Sequence, residues 1–304
     1  MGEMISNGAL TPQPPKAAAG LGRKIRVTLE MIKFEHSIFA LPFALIGAML
    51  AVHGWPAWRQ IFWLIVAMVA ARSAAMTFNR IVDRKMDALN PRTRMRALPA
   101  GRLSLRFAAA FTVASCAVLV LAAWELNPLA FRLSPVALAI LLLYSYAKRF
   151  TLFTHVILGV ADGLSPVAGW IAVRGDVSLS VILLGVAVAL WVAGFDLIYA
   201  CQDVDFDRAH GVHSAPRRFG VAAALYASMA FHAAMLAILV IVARREHLGL
   251  LALAGIGVVG LLLAYEHSLV RPKDLSRLNA AFFTINGYVS IIFFITWAAD
   301  LLIH

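Results

Sequence analysis

The sequence predicts an all-α, polytopic membrane protein with nine transmembrane helices, and three observations support this fold class. The 304 residues are 62% hydrophobic and 14% charged, whereas soluble domains are about 45–50% apolar and about 25% charged. The apolar residues fall in runs of about 20, the length that a helix needs to cross a bilayer. Basic residues are concentrated in alternate connections between these runs, as in membrane proteins with a defined orientation.

The apolar runs begin after an amino-terminal segment of different composition. The first 25 residues contain Pro12, Pro14 and Pro15 and lack the apolar core of a cleaved signal peptide. We expect them to form a flexible cytoplasmic tail, followed by a single transmembrane domain over residues 26–304. The candidate spans of this domain are residues 35–53, 61–79, 107–124, 130–147, 153–173, 178–200, 219–243, 248–266 and 280–302.

The placement of basic residues predicts the orientation of these spans. The tail and the connections after the even-numbered spans hold 21 Lys and Arg residues, and the opposite side holds 5. Basic connections stay in the cytoplasm, so the amino terminus is predicted to be cytoplasmic and the carboxyl terminus external. The same placement explains the net charge of +11 without nucleic-acid binding. Cys116 and Cys201 lie within or beside apolar runs, and we interpret both as small buried apolar residues.

Two groups of polar residues stand at the cytoplasmic ends of apolar runs. Asn79, Asp83 and Asp87 follow the second span at intervals of four residues, which places them on one face of a helix. Arg72 falls on the same face, about two turns deeper in the membrane. Carboxylates at the edge of the hydrocarbon region are costly unless a cation neutralises them.

A second group repeats this spacing after the sixth span. Tyr199, Asp203 and Asp207 share a helical face, Asp196 lies close to it, and Asp205 points away from it. Pairs of carboxylates suit hard divalent cations such as Mg²⁺, which prefer phosphate oxygens as their remaining ligands. Two such helices facing each other across a cavity predict a membrane enzyme that binds Mg²⁺ and a lipid diphosphate. His210 and His213 lack a third ligand nearby, so a metal-binding role is not assigned to them.

These motifs, together with others between and before them, resemble the UbiA superfamily of intramembrane prenyltransferases. The resemblance covers about residues 26–302 and is closest to the branch of bacterial quinone biosynthesis. The matching segments are Asn79-x₃-Asp83-x₃-Asp87 with Asn90-Pro91-Arg92-Thr93, Tyr199-x₃-Asp203-x₃-Asp207 with Gly211-Val212-His213-Ser214 and Arg218-Phe219-Gly220, Tyr144–Thr151, Leu158-Gly159 with Pro166, and the opening Met31–Pro42.

The resemblance implies nine helices around a central cavity open at the cytoplasmic face, in a bacterial inner membrane. It implies transfer of a polyprenyl chain from its diphosphate to an aromatic acid, with Mg²⁺ as cofactor. Carried over by position, the roles are Mg²⁺ binding by Asn79, Asp83, Asp87, Asp203 and Asp207, diphosphate binding by Asn79, Arg72, Lys148, Arg149 and Tyr199, and catalysis by the four aspartates with Arg149.

Two residues depart from this pattern or add to it. Arg80 follows Asn79 where many relatives carry an aspartate, which bears on the branch of the family. Asp162 lies within the fifth span, and an acid in the middle of a membrane is functional by default. Asp162, with Asp196, is a candidate for binding the aromatic acceptor, and a structural role for Asp162 is equally compatible with the sequence.

The sequence leaves the acceptor open. A 4-hydroxybenzoate-like acceptor in a ubiquinone-type pathway is the leading interpretation, and a naphthoate-type acceptor of a menaquinone route is the alternative, because the motifs bind the diphosphate and not the ring. A cation-coupled transporter is the alternative of another class, since acids in membranes often mark ion pathways. The acids cluster at one membrane face beside Lys148 and Arg149, which argues against a cation pathway.

Overall fold

The computed structural model describes residues 20–32, 40–278 and 280–303, and over these residues the chain is helical, without a β-sheet. The predicted all-α class is therefore confirmed for this part of the chain. The helices are α1 (Leu21–Ile32), α2 (Leu41–Leu50), α3 (Trp58–Leu89), α4 (Leu105–Leu126), α5 (Pro128–Leu143), α6 (Thr154–Arg174), α7 (Leu179–Ala200), α8 (Val204–His210), α9 (Ala215–Phe219), α10 (Val221–Arg245), α11 (Leu250–Leu269) and α12 (Asn286–Ile303).

Eight helical segments among the described residues are long and apolar enough to cross a membrane. They match the second to ninth predicted spans, and the chain is a multi-pass membrane protein. The first predicted span, 35–53, contains α2, which has 10 residues, and residues 33–39 lie outside the described part of the chain. The eight segments are Trp58–Leu89, Leu105–Leu126, Pro128–Arg149, Thr154–Arg174, Leu179–His210, Val221–Arg245, Leu250–Leu269 and Phe282–Ile303.

The amino-terminal segment contains a helix that the sequence analysis did not predict. The predicted tail, residues 1–25, lies outside the described residues as far as residue 19, and residues 21–25 belong to α1. Val27, Met31 and Ile32 of α1 pack in one cluster with Leu98 and Leu103 of the α3–α4 loop. The helix thus holds the loop that follows the first aspartate motif.

Glycines allow the backbones of α2 and α6 to approach closely. A Cβ atom on Gly47 would lie 2.0 Å from the carbonyl oxygen of Pro166, and one on Gly169 would lie 1.9 Å from that of Ala44. Neither position can accept a side chain unless the two helices separate. Small residues at such contacts are a general feature of helix packing in membranes.

Aromatic side chains join the beginning of the described bundle to its end. Phe43 of α2 has its ring centroid 5.1 Å from Trp191 of α7 and 4.7 Å from Phe293 of α12. Phe293 in turn lies 4.6 Å from Trp297. All four side chains are fully buried, so α2, α7 and α12 share one apolar core although they are distant in sequence.

Candidate active site

The first aspartate motif lies on the last turns of α3. This helix has 32 residues and is therefore roughly 48 Å long, longer than the roughly 30 Å hydrocarbon core. Its final turns carry Asp83 and Asp87, which are buried with exposed fractions of 2% and 5%. As the four-residue spacing predicts, both project from one face of a continuous helix. Asn79, one turn earlier, accepts a hydrogen bond of 3.4 Å from Arg80.

The second motif differs from its prediction because it does not lie on one continuous α-helix. Tyr199 lies in α7, a 3₁₀ turn follows over Cys201–Asp203, and Asp207 lies in α8. A 3₁₀ turn winds the backbone more tightly than an α-helix, so Tyr199 and Asp203 are not related by a regular four-residue step of one α-helix. Asp205 is fully exposed, which agrees with its predicted position off the shared face.

Cationic side chains contact the aspartates of the first motif. Lys148 Nζ lies 2.5 Å from Asp83 Oδ2, and Arg149 Nη2 lies 3.7 Å from Asp83 Oδ1 and donates to the Val82 carbonyl at 2.7 Å. Lys148 and Arg149 occupy a 3₁₀ segment, Tyr144–Arg149, that follows α5. The structure thus places both predicted diphosphate ligands beside the predicted metal ligand Asp83.

Arg92 connects the loop after α3 to the second motif. Its guanidinium makes a bidentate contact with Asp203 and donates to the Tyr199 hydroxyl at 3.0 Å, and Asn90 Nδ2 donates to Asp203 Oδ1 at 3.2 Å. Burial lowers the pKa of Arg92, but the hydrogen bond to Asp203 and the charges of Tyr199 and Asp203 outweigh burial and raise that pKa. The two motifs therefore meet at one end of the bundle.

Arg96 and Ser214 complete the contacts of the aspartates. Arg96 Nη1 lies 2.7 Å from Asp87 Oδ1, and the Ser214 hydroxyl donates to Asp207 Oδ2 at 2.7 Å. The sequence alone predicts no site role for Arg92 or Arg96, although Arg92 belongs to the segment Asn90-Pro91-Arg92-Thr93 that follows the first aspartate motif. The available signal is the high density of arginines in the loop after α3, which also serves as a determinant of orientation.

The donor set fits Mg²⁺ in its chemistry. Asp83 Oδ1 and Asp87 Oδ2 are buried and receive no hydrogen bond from the residues that the structure describes, so each has an oxygen available for a ligand. Among the same residues, no three His, Cys, Asp or Glu side chains form a group that could hold a metal ion. Mg²⁺ commonly binds through one or two carboxylates together with substrate phosphates, which requires no such group.

An apolar cavity of about 210 Å³ lies within the bundle between α2, α3, α4, α5 and α6. Its few polar lining groups include Arg72, Asp162, Tyr144 and Ser165. Arg72, predicted as a diphosphate ligand, and Asp162, a predicted acceptor residue, therefore lie on the wall of the same cavity. A mostly apolar cavity with few polar groups suits an apolar substrate with one charged group.

Asp196, the other predicted acceptor residue, makes a contact that the sequence analysis missed. His155 Nδ1 of α6 lies 2.6 Å from Asp196 Oδ2 of α7. His155 has an exposed fraction of 5%. Its position one turn after Lys148-Arg149-Phe150-Thr151 was the available signal, because a histidine that close to a predicted site is more informative than one in a distant loop.

Replacement of Lys148 or Arg149 tests whether this pair acts in substrate binding. We expect Lys148→Ala and Arg149→Ala each to lower kcat/KM or raise KM for a prenyl diphosphate, with normal membrane insertion. A lost charge-assisted contact costs about 1.5–3 kcal/mol, roughly a 10- to 150-fold change. Lys85→Ala, an exposed cation on α3, is the control. Wild-type kinetics in both single variants would leave the pair only an anchoring role.

Comparison with known proteins shows the family of the chain. The UbiA prenyltransferase family matches residues 40–295. The 4-hydroxybenzoate octaprenyltransferase of Methylobacillus flagellatus is 31% identical, with 84% of this chain and 86% of that protein aligned. The enzyme of the same name from Xanthomonas campestris is 33% identical, with 84% and 88% aligned.

Solved structures share the fold. A UbiA homolog from Aeropyrum pernix K1 superposes with a TM-score of 0.80 at 38% identity, covering 88% of this chain and 98% of that one. A UbiA homolog from Archaeoglobus fulgidus bound to DMAPP and Mg²⁺ gives a TM-score of 0.70 at 20% identity, covering 90% and 98%. With the family match and these relatives together, the chain belongs to the UbiA prenyltransferase family.

Proposed function

We propose that this enzyme transfers a polyprenyl chain from its diphosphate to an aromatic acid of the 4-hydroxybenzoate type, with Mg²⁺ as cofactor. One observation carries the proposal: two aspartate motifs, each in contact with cationic side chains, meet at one end of the bundle. This arrangement combines ligands for a divalent cation with ligands for phosphate oxygens. The names of the relatives and the ligands of the Archaeoglobus fulgidus homolog support the same assignment.

The residues at the aspartate motifs are proposed to bind Mg²⁺ and the diphosphate. Asp83, Asp87, Asp203 and Asp207 would hold Mg²⁺ with the diphosphate, assisted by Asn79 and Tyr199. Mg²⁺ supplies Lewis-acid stabilisation of the diphosphate leaving group. Lys148 and Arg149 would move from Asp83 to the phosphate oxygens, because a dianionic or trianionic group attracts them more strongly than one carboxylate.

The cavity supplies the second half of the reaction. Departure of the diphosphate leaves an allylic cation, which water would capture if the site were wet. The mostly apolar lining of the cavity disfavours water, and Arg72 offers a cation to the carboxylate of an aromatic acid. We therefore place the aromatic acceptor at Arg72 and Asp162, deeper than the diphosphate.

The identity of the acceptor can be tested by competition. The purified protein would receive Mg²⁺, a labelled polyprenyl diphosphate and an equimolar mixture of 4-hydroxybenzoate and a dihydroxynaphthoate. We expect labelled product from the benzoate in excess. Preferential labelling of the naphthoate would assign the enzyme to a menaquinone route and contradict the proposed acceptor while retaining the chemistry.

A cation-coupled transporter is the alternative of another class. The contacts of the aspartates disfavour it, because Asp83, Asp87 and Asp203 each lie against a cationic side chain at one end of the bundle. Cationic side chains would repel a transported cation, and the acidic residues of a cation pathway are expected near the middle of the membrane. Mg²⁺-dependent product formation in detergent, without a membrane gradient, separates the two functions.

The proposed location is a bacterial inner membrane with the amino terminus and the active-site end in the cytoplasm. The basic bias of 21 residues against 5 carries this orientation. Engineered cysteines in the α3–α4 loop and at residue 304 should react with an impermeant reagent from opposite sides of the membrane. Labelling of both from the same side would contradict the nine-span topology.

A further inference from the structure

His155 and Asp196 form a buried pair between the two parts of the proposed active site. His155 lies in the first turn of α6 and Asp196 near the end of α7, and their contact of 2.6 Å joins the two helices. Asp196 lies about one turn before Tyr199 of the second aspartate motif on α7. His155 lies about two turns before Asp162 of the apolar cavity on α6. The pair therefore lies between the diphosphate end and the acceptor end of the site.

The register of α6 places His155 on the helix face that lines the cavity, one turn before the first lining residue of that helix. Leu158, Asp162 and Ser165 line the cavity, and they follow His155 by three, seven and ten residues. These steps keep all of them on one face of a helix. The seven residues between His155 and Asp162 correspond to about 10 Å along the axis, so His155 lies at the mouth end of the face that carries the proposed acceptor site.

The contact with Asp196 determines which nitrogen of His155 is basic. An ionised carboxylate only accepts hydrogen bonds, so Nδ1 carries the proton and donates it to Asp196. In the neutral ring, Nε2 then has a free lone pair. Nε2 is buried and receives no hydrogen bond from the described residues. A base held by a carboxylate on one nitrogen and open on the other is the arrangement that serves proton abstraction in other enzymes.

We propose that His155 is the general base that removes the ring proton of the aromatic acceptor, and that Asp196 is its positioning residue. The inference rests on the proposed function, because only substitution on a ring carbon releases such a proton. A ring π-electron pair forms the bond to the prenyl carbon, and the bond from that carbon to the diphosphate oxygen breaks with its electrons on oxygen. The ring proton passes to Nε2 of His155, and the electrons of the C–H bond restore aromaticity.

Asp196 acts through His155. Its carboxylate stabilises the imidazolium that forms and holds the ring in one orientation. The proton leaves to water at the mouth, which is the cytoplasmic end of the bundle in the proposed orientation. A purely structural hydrogen bond between α6 and α7 would explain the contact, but it would not explain why Nε2 is buried without a partner among the described residues.

Kinetic isotope effects distinguish a general base from a residue that only makes a structural hydrogen bond. We would compare wild type, His155→Gln, Asp196→Asn and the control His210→Gln, using acceptor with and without deuterium on the ring carbon that is prenylated. His210 is an exposed histidine at the end of α8, and its ring is hydrogen-bonded to the Phe206 carbonyl of the same helix. Thermal melting and KM for the prenyl diphosphate would be measured for each variant.

The base assignment predicts a loss of turnover in His155→Gln of about 10²- to 10⁴-fold, the usual contribution of general acid–base catalysis. It also predicts a primary isotope effect clearly larger than in wild type, because proton removal becomes rate-limiting. Asp196→Asn should shift both quantities in the same direction by less. KM for the prenyl diphosphate should change little, and His210→Gln should match wild type.

Four outcomes would overturn the inference. Turnover of His155→Gln within about threefold of wild type would exclude a base, as would a large loss with an unchanged isotope effect. Should His155→Gln fail to fold, Asp196→Asn carries the same test, and an unchanged isotope effect there would overturn the inference as well. If wild type itself transfers no prenyl group to any aromatic acid, the proposed function is wrong and the inference falls with it.

Discussion

Asp83→Ala and Asp203→Ala are each expected to lower kcat/KM by two or more orders of magnitude. Each change removes one carboxylate from the proposed Mg²⁺–diphosphate site and leaves a cation without its partner, Lys148 in the first case and Arg92 in the second. Lewis-acid stabilisation is worth several kcal/mol, and every 1.36 kcal/mol is about tenfold in rate. Steady-state kinetics with a polyprenyl diphosphate and an aromatic acid would measure the loss.

Asp205→Ala is the matched control for these variants. Asp205 lies between Asp203 and Asp207 in sequence, but its side chain is fully exposed and only 3.8 Å from Arg208. We expect nearly normal kinetics from this variant. A loss as large as that of Asp203→Ala would mean that the exposed side chain binds substrate and that the assigned face of the second motif is wrong.

Chelation is expected to abolish turnover altogether. In excess EDTA the aspartates would keep their present partners, Lys148, Arg92 and Arg96, and those cations would not be available to the diphosphate. Mg²⁺ or Mn²⁺ added back in excess should restore activity, because both prefer oxygen ligands. Product formation at the full rate in EDTA would refute the metal-binding role of all four aspartates at once.

The spans and the first motif could be predicted from sequence because they depend on local spacing. Runs of apolar residues have the length of a bilayer, and a four-residue interval specifies one helical face. Asp83 and Asp87 therefore lie where the sequence places them, both buried on the last turns of α3. For the second motif, the prediction of one continuous helix is wrong, because the 3₁₀ turn that ends at Asp203 interrupts the helix.

Contacts between distant segments could not be predicted in this way. Arg92 reaches Asp203 across 111 positions of the chain, and no local period relates a loop arginine to a helix end. For the same reason, a buried hydrogen-bond network in the other half of the bundle could not be predicted. There, Asn286 donates to Glu266 at 2.8 Å and accepts from Trp191 at 2.8 Å. In the sequence, Glu266 is only a single acidic residue near the end of a predicted span.

His155 illustrates why a buried residue between two helices is hard to predict from sequence. It is one of 9 histidines in the chain, and it follows the Lys148–Arg149 pair without matching any spacing rule. Only the fold brings its Nδ1 to Asp196, 41 positions away. The helical face of Asp196 predicts acceptor binding, and the contact with His155 changes the role that we propose for this residue.

Analysis of the product of a single turnover tests the central claim most directly. Wild-type protein with Mg²⁺, a polyprenyl diphosphate and 4-hydroxybenzoate should release one diphosphate for each prenylated ring, with a new carbon–carbon bond and one ring proton lost by NMR. The same mixture with EDTA should yield neither product. Release of diphosphate without a prenylated ring, or cation movement without any covalent product, would contradict the account.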